Sequence, residues 1–344
     1  MMDRPKVWVS RPTFPDIISR LDEHFEVTSE SEEVAFTPAE LAAKLADQDA
    51  AIVGLKERIS TPAIVGAKRL RIVANLSVGY DNLDLTALTE AGIAASNTAD
   101  VLNESVADYT WALLLGAARR VGAAERWLRA GEWKATKFTQ WLGMDVRGRT
   151  LGILGMGRIG QAVARRATGF GMQVIYHNRS ALPAVLEREC NARYVDKPSL
   201  LREADFLVLV VPLTPESRHA IGASELALMK PTAVLVNVAR GGIVDDAALA
   251  AALARGDIAA AALDVFEGEP NVHPALLALD NVLLSPHIAS ASHDARRAMT
   301  ALAVDNVMAF FGHGPHAGHP PTILNPTVLA TASHTPTPEL KNTR

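Results

Sequence analysis

Six residues, Gly155-Met156-Gly157-Arg158-Ile159-Gly160, constrain this chain more than any other stretch. An apolar run over 149–154 precedes them and reads as a buried strand, and 159–170 reads as a helix. Between a strand and a helix, three glycines at this spacing form a physical device. The first permits a tight turn. The second lets the backbone approach a pyrophosphate, and the third lets helix and strand pack closely. The helix N-terminus adds free amides and a partial positive charge. The string therefore predicts a bound dinucleotide and is silent on what is done with it.

The rest of the chain narrows the class. Its 344 residues suggest two domains, and 49% apolar residues suffice for two cores. A net charge of −4 with no Lys/Arg block argues against nucleic acid. Cys190 is the only cysteine, which excludes an internal disulfide and a cysteine metal cluster and suits a reducing compartment. The first residues hold no apolar secretion segment, and the most apolar strand, 206–211, is too short to span a bilayer. These features predict a soluble, cytoplasmic protein with no membrane partner.

Strand and helix signals alternate along the chain. Strands are expected at 6–10, 25–28, 50–54 and 70–75, with helices at 15–21, from Thr37-Pro38, from Thr61-Pro62, and at 84–91. Thr37 and Glu40 frame a capping box with proline at the first helical position. This first unit runs to about residue 100. A long apolar helix is expected over 104–120, then a stretch without clear period to Val146. Strand signals resume at 149–154, 172–177, 206–211, 233–238, 259–265 and 281–285, with a helix over 245–254 ended by Gly256 and a last one over 294–311. The alternation predicts α/β architecture with parallel sheets covered on both faces. The Thr- and Pro-rich tail over 331–344 is expected to be disordered. Trp111, Trp127, Trp133 and Trp141 cluster in or beside the aperiodic stretch. Tryptophan is enriched at interface hot spots, so a homodimer contact is expected there.

The residue after the second strand of a dinucleotide fold faces the adenosine ribose, where a carboxylate binds the 2′-hydroxyl of NAD. Here that place holds Asn178-Arg179-Ser180, with no acid. Arg179 offers a charge-assisted fork to a 2′-phosphate, with Asn178 and Ser180 adding hydrogen bonds. The pattern favours NADP(H), with NAD(H) as the alternative.

Three later stretches end apolar strands: 236–242 with Arg240-Gly241-Gly242, 263–270 with Asp264, Glu269 and Pro270, and 284–289 with Pro286-His287-Ile288-Ala289. Ligand sites in open α/β sheets lie outside the carboxyl ends of the strands. Singly, each residue has a structural explanation better than a functional one, since buried ion pairs also form such clusters. Together they suggest hydride chemistry on a carboxylated carbonyl compound.

With these stretches in this order, the chain resembles the D-isomer-specific 2-hydroxyacid dehydrogenases over about residues 5–328. The 75–82 and 141–146 segments resemble the glyoxylate and hydroxypyruvate reductase branch. The resemblance implies two Rossmann-like or flavodoxin-like parallel-sheet domains separated by a cleft. The substrate-binding (catalytic) domain would comprise 1–103 with 293–330, and the NAD(P)-binding domain 104–292. It implies an NADPH-preferring reductase of small 2-keto acids such as glyoxylate and hydroxypyruvate.

The resemblance also assigns roles. His287 would be the general acid in reduction, a task suited to a side chain that titrates near neutrality. Glu269 would orient its imidazole and stabilise the protonated form. Arg240 would bind the substrate carboxylate and carbonyl oxygen through its fixed donors. The amides of Val78 and Gly79 would bind the carboxylate as well. Coenzyme contacts would come from Gly155, Gly157, Arg158, Ile159, Gly160, Asn178, Arg179, Ser180, Pro212, Val238, Asp264 and His287, with Asp264 meeting the nicotinamide carboxamide. No metal is expected, including at the tract His313, His316 and His319.

Rival readings remain at this level. The 75–82 loop has no lysine, which weighs against a phosphite dehydrogenase. A fingerprint this far from the N-terminus weighs against L-lactate and malate dehydrogenases. An NAD(P)-sensing corepressor-like protein is the alternative from another class, and an NAD-dependent D-2-hydroxyacid dehydrogenase of another substrate the alternative within the family.

Overall fold

The structure, a computed structural model, describes residues 4–332. Within them the chain forms two compact units, 4–102 with 293–332, and 103–292.

The first unit is built on five parallel strands, β1 (Lys6–Val9), β2 (Glu26–Ser29), β3 (Ala50–Val53), β4 (Ile72–Asn75) and β5 (Ala94–Ser96), in the order β2-β1-β3-β4-β5. β3 and β4 are buried along their whole length, which their near-continuous apolar sequences require of a sheet covered on both faces. Alternation divides each strand between two cores. Val7, Val9 and Ile52 face one that includes Ala303, Val304 and Val307 of the helix His293–Phe310. Trp8, Ala51 and Val53 face another that includes Leu41, Leu45 and Leu88. The last long helix thus belongs to the first unit. Polar side chains fasten the segment after it: Asn325 accepts from the Ala95 amide at 2.8 Å, and Thr322 Oγ1 donates to Asn97 O at 2.6 Å.

Local signals set the element ends. Glu40 N donates to Thr37 Oγ1 at 3.3 Å while Thr37 N donates to Glu40 Oε2 at 2.8 Å, which closes the capping box of the helix Pro38–Leu45. Asp245 caps the helix Asp246–Arg255, and Gly256 ends it in the left-handed conformation.

The second unit holds seven parallel strands: β6 (Thr150–Leu154), β7 (Gln173–His177), β8 (Ala192–Tyr194), β9 (Phe206–Leu209), β10 (Val234–Asn237), β11 (Ala260–Leu263) and β12 (Val282–Leu284). Their order is β12-β11-β10-β9-β6-β7-β8, a doubly wound sheet that reverses between β6 and β9. The first sheet reverses between β1 and β3.

Several expectations are corrected here. The strands expected over 206–211 and 259–265 end at Leu209 and Leu263, because the following residues leave the ladder for loops. The stretch without period before Val146 contains a helix, Val121–Arg129, separated from the helix Asn103–Ala118 by Arg120 in the left-handed conformation (φ 56°). Trp111 is not at an exposed docking face. It stacks on Phe170 with ring centroids 4.6 Å apart and donates Nε1 to Val163 O at 3.1 Å inside the second unit. Trp127 and Trp141 meet edge to face at 5.6 Å, and Trp133 and Phe138 are exposed. Thr331 and Ala332, expected to begin the disordered tail, complete the helix Thr327–Ala332, and the rest of that tail lies outside the described residues. Among the described residues no helix is long and apolar enough to cross a membrane.

Candidate active site

β6 runs straight into the glycine turn. Gly155 takes φ +101°, a conformation that L side chains rarely adopt, and a Cβ there would stand 2.8 Å from the Val210 carbonyl. A Cβ on Gly160 would meet Gly155 O at 2.4 Å, so the helix Arg158–Ala167 starts hard against the strand end. At Gly157, by contrast, a Cβ would meet nothing within 4 Å. The turn is packed from below and open above, with the N-terminus of a ten-residue helix facing the opening.

The side chains after β7 divide. Arg179 and Ser180 are exposed. Asn178 is committed to the turn: its Oδ1 accepts from the Met156 amide at 2.6 Å, and its carbonyl accepts from Tyr194 Oη at 3.2 Å. Its Oδ1 thereby braces the glycine loop. Pro212 follows β9 and accepts from Ser217 Oγ at 2.7 Å, and Val238 follows β10 and is buried.

Arg240 stands at the end of β10 in a tight loop. Asn237 Nδ2 donates to Arg240 O at 3.1 Å, and Arg240 Nη1 donates to Ala239 O at 2.9 Å. Gly241 is required by packing, because a Cβ there would lie 1.7 Å from Phe266 O. That contact sets the Arg240 loop against the one carrying Glu269.

Glu269 Oε1 accepts from the Phe266 amide at 2.9 Å, and Oε2 lies 2.7 Å from His287 Nδ1. An ionised carboxylate only accepts, so Nδ1 carries the hydrogen and Nε2 is left for another partner. Burial pushes the Glu269 carboxyl up, but the hydrogen bond and charge of His287, the Phe266 amide and the Arg240 charge outweigh it and hold the group below the usual carboxylate range.

His287 itself adopts a left-handed backbone (φ 55°), a conformation that costs about 1–3 kcal/mol. Asp264 compensates. Its carbonyl accepts from His287 N at 2.8 Å, its Oδ1 from Ile288 N at 2.9 Å and Ser285 Oγ at 2.7 Å, and its Oδ2 from Ala289 N at 2.8 Å. Asp264 is fully buried, with both oxygens engaged. In this arrangement it clamps the loop that presents His287. Sequence reading missed the other members of that clamp. Tyr109 is hydrogen-bonded to Ser285, and Ser105 Oγ donates to Ala289 O at 3.4 Å, one helical turn away on the helix Asn103–Ala118. The i, i+4 spacing was visible, but a lone Ser and Tyr on an apolar helix carry no signal without the loop they hold.

In the first unit, Val78 and Gly79 sit on the loop after β4. Their carbonyls accept from Asn97 Nδ2 at 2.8 Å and Asn75 Nδ2 at 2.9 Å. Their amides make no hydrogen bond among the described residues. They are therefore two donors presented at the carboxyl end of a parallel sheet.

Three other histidines have partners of their own. His177 Nδ1 lies 2.9 Å from Val195 O, His219 pairs with Glu267, and His313 stacks on His24 at 3.9 Å. Among the described residues, no group of three or more His, Cys, Asp or Glu side chains is placed to hold a metal ion.

Comparison with known proteins agrees with this geometry. Residues 111–289 match the D-isomer specific 2-hydroxyacid dehydrogenase, NAD binding domain. The glyoxylate reductase of Thermococcus onnurineus is 48% identical over 330 residues, 95% of this chain and 97% of that protein. That of Pyrococcus furiosus is 45% identical over 330 residues, 95% and 97% of the two chains. Among solved structures, the NADPH-dependent glyoxylate/hydroxypyruvate reductase from Sinorhizobium meliloti, in complex with NADP and malonate, superposes with a TM-score of 0.82 at 39% identity, covering 94% of this chain and 97% of that one. A glyoxylate reductase from Paecilomyes thermophila gives 0.84 at 34% identity, covering 95% and 100%. The chain belongs to the D-isomer-specific 2-hydroxyacid dehydrogenase family.

Proposed function

We propose that the chain is an NADPH-preferring reductase of small 2-keto acids, glyoxylate and hydroxypyruvate among them, yielding D-2-hydroxy acids. The observation that carries this reading is the His287–Glu269 pair at 2.7 Å, beside Arg240, in the unit that also holds the glycine turn. The relatives named glyoxylate reductase, and the Sinorhizobium enzyme solved with NADP, support it.

The glycine turn fits a pyrophosphate: open space at Gly157, a left-handed Gly155 and a helix N-terminus are what such a group needs. Gly155, Gly157, Arg158, Ile159 and Gly160 would hold it. Arg179 and Ser180, with the Nδ2 of Asn178, would take the 2′-phosphate, Pro212 and Val238 would flank the coenzyme, and Asp264 would meet the nicotinamide carboxamide. When bound, the nicotinamide supplies hydride to the substrate carbonyl carbon. Arg240 binds the substrate carboxylate and carbonyl oxygen, and the Val78 and Gly79 amides bind the carboxylate. His287 donates the proton on Nε2 to the carbonyl oxygen, while Glu269 holds Nδ1 and so fixes the direction of the ring.

We place the protein in the cytoplasm, where the reduced thiol of Cys190 fits the redox state. We also assign a homodimer contact to the 121–146 segment, on which Leu128, Trp133, Phe138 and Leu142 are exposed.

A steady-state panel of glyoxylate, hydroxypyruvate, pyruvate and phenylpyruvate, each with NADH and NADPH, tests the function. NADPH consumption with glyoxylate and hydroxypyruvate is the expected result. No turnover with any of the four would refute it.

A further inference from the structure

The first sheet reverses its strand order between β1 and β3, and open α/β sheets take ligands at such a point, outside the carboxyl ends of the strands. A carboxylate of the chain itself stands there. Glu57 is 2% exposed. Its Oε2 accepts from Ser10 Oγ at 2.7 Å and from the Gly54 amide at 2.6 Å, and lies 3.0 Å from Arg11 Nη2. Ser10 and Gly54 are the residues that follow β1 and β3. The site is thus filled by an internal anion, bound by an amide, a hydroxyl and a guanidinium.

From Glu57, buried side-chain amides lead to the loop after β4. Asn82 Nδ2 donates to the carbonyls of Gly54 and Glu57 at 2.9 and 3.1 Å. Asn82 and Asn75 exchange amide contacts at 3.2 Å, and Asn75 Nδ2 donates to Gly79 O at 2.9 Å. Asn75 and Asn82 are buried. Hydrogen bonds to a charged acceptor are the stronger, more directional kind, so the Glu57 carboxylate is a firm origin for this path.

We propose that Glu57 is a positioning residue for substrate binding: through Asn82 and Asn75 it anchors the Gly79 carbonyl, and so fixes the place of the loop that offers the Val78 and Gly79 amides to the substrate carboxylate, a loop whose Val78 carbonyl Asn97 holds from the other side. The inference rests on the reading of those amides given above. Arg11 belongs to the same device, because its guanidinium holds the Glu57 charge in place.

Glu57→Gln keeps the size and an acceptor but removes the charge. The expected result is a rise of about tenfold in KM for glyoxylate and in the inhibition constant of oxalate, a carboxylate with no carbonyl to reduce, since small misplacements of binding groups are amplified in affinity. Both kcat and the dissociation constant of NADPH, followed by fluorescence, stay within about twofold, because the effect is confined to orientation of substrate. Arg11→Gln, nearer the surface, shows about a threefold rise in the same two constants, and Arg11→Lys, which restores a cation, returns them toward wild type. A folded Glu57→Gln with unchanged KM and oxalate inhibition overturns the proposal, as does an equal loss of NADPH affinity, which would mark general loosening. If Glu57→Gln does not fold, unchanged constants in Arg11→Gln overturn it. A wild type that reduces no 2-keto acid removes the parent reading and this one with it; a wild type that reduces them while the variants behave normally removes this one alone.

Discussion

At the reversal point of the second sheet the chain places three glycines and a helix N-terminus; at that of the first it places Ser10, Arg11, Gly54 and the Glu57 carboxylate. A Cβ on Gly157 would enter open space, whereas one on Gly54 would strike the Arg11 guanidinium at 2.1 Å. The same topology therefore yields two kinds of edge. One leaves its amides to an anion from outside. The other satisfies its own Gly54 amide internally and presents donors one strand further on, at Val78 and Gly79. Strand order alone does not decide which sheet takes a coenzyme, and the atoms bound at the crossover do.

The sharpest break of this comparison is a pair of glycine substitutions. Gly241→Ala drives a Cβ into a backbone carbonyl that cannot swing away, while the clashing atoms at Gly54 end a flexible side chain. Gly241→Ala is expected to lose about 3 kcal/mol or more, at or past the upper end of overpacking costs, visible as a fall in Tm of roughly 6–12 °C for a domain of this size. Gly54→Ala should lose about 1 kcal/mol and raise KM for the keto acid. Equal thermal shifts in the two variants would erase the distinction between the edges.

A smaller effect separates the coenzymes. Arg179→Ala should raise KM for NADPH about tenfold or more, the worth of a charge-assisted hydrogen bond, and leave KM for NADH nearly unchanged. Parallel changes for both coenzymes would place the 2′-phosphate elsewhere.

The smallest effect is one of pH. The Glu269 carboxyl is held below its usual range, so in its ionised form it contributes stability that is fully present above the ordinary carboxylate range and lost as pH falls through its lowered value. Wild type should exceed Glu269→Gln in stability by roughly 1 kcal/mol or less at neutral pH, as partly exposed pairs do, with the gap closing in acid. Denaturant titrations at several pH values test this, and a gap that widens in acid would reverse the assigned sign.

Much of the second unit was legible because its signals are local. The glycine spacing, the Asp245 and Gly256 helix ends and the residues closing β10, β11 and β12 are each contained in a few positions. What escaped reading depends on partners far apart in the chain. Asp264 has a short-range pattern, but its engagement with Ser285, Ile288 and Ala289 exists only once β11 and β12 pair. The bond from Met156 N to Asn178 Oδ1 exists only once the turn after β6 brings that amide within reach. The Glu57 cluster draws on the ends of β1 and β3 and on Asn82, and no periodicity announces it. The three-residue strands β5 and β8 were missed because so short a segment carries almost no alternation, and neither Ala-Ala-Ser nor Ala-Arg-Tyr has the large apolar residues that mark the equally short Val-Leu-Leu of β12.

The central claim is that His287 moves the proton while the coenzyme is held by other groups, the glycine turn and Arg179 foremost. One measurement tests it most directly: NADPH consumption with glyoxylate, together with NADPH binding, for wild type and His287→Ala. The account predicts a fall in turnover of about 10²–10⁴-fold, the usual contribution of a positioned general acid, with coenzyme affinity retained. Turnover at the wild-type rate in the variant would contradict it.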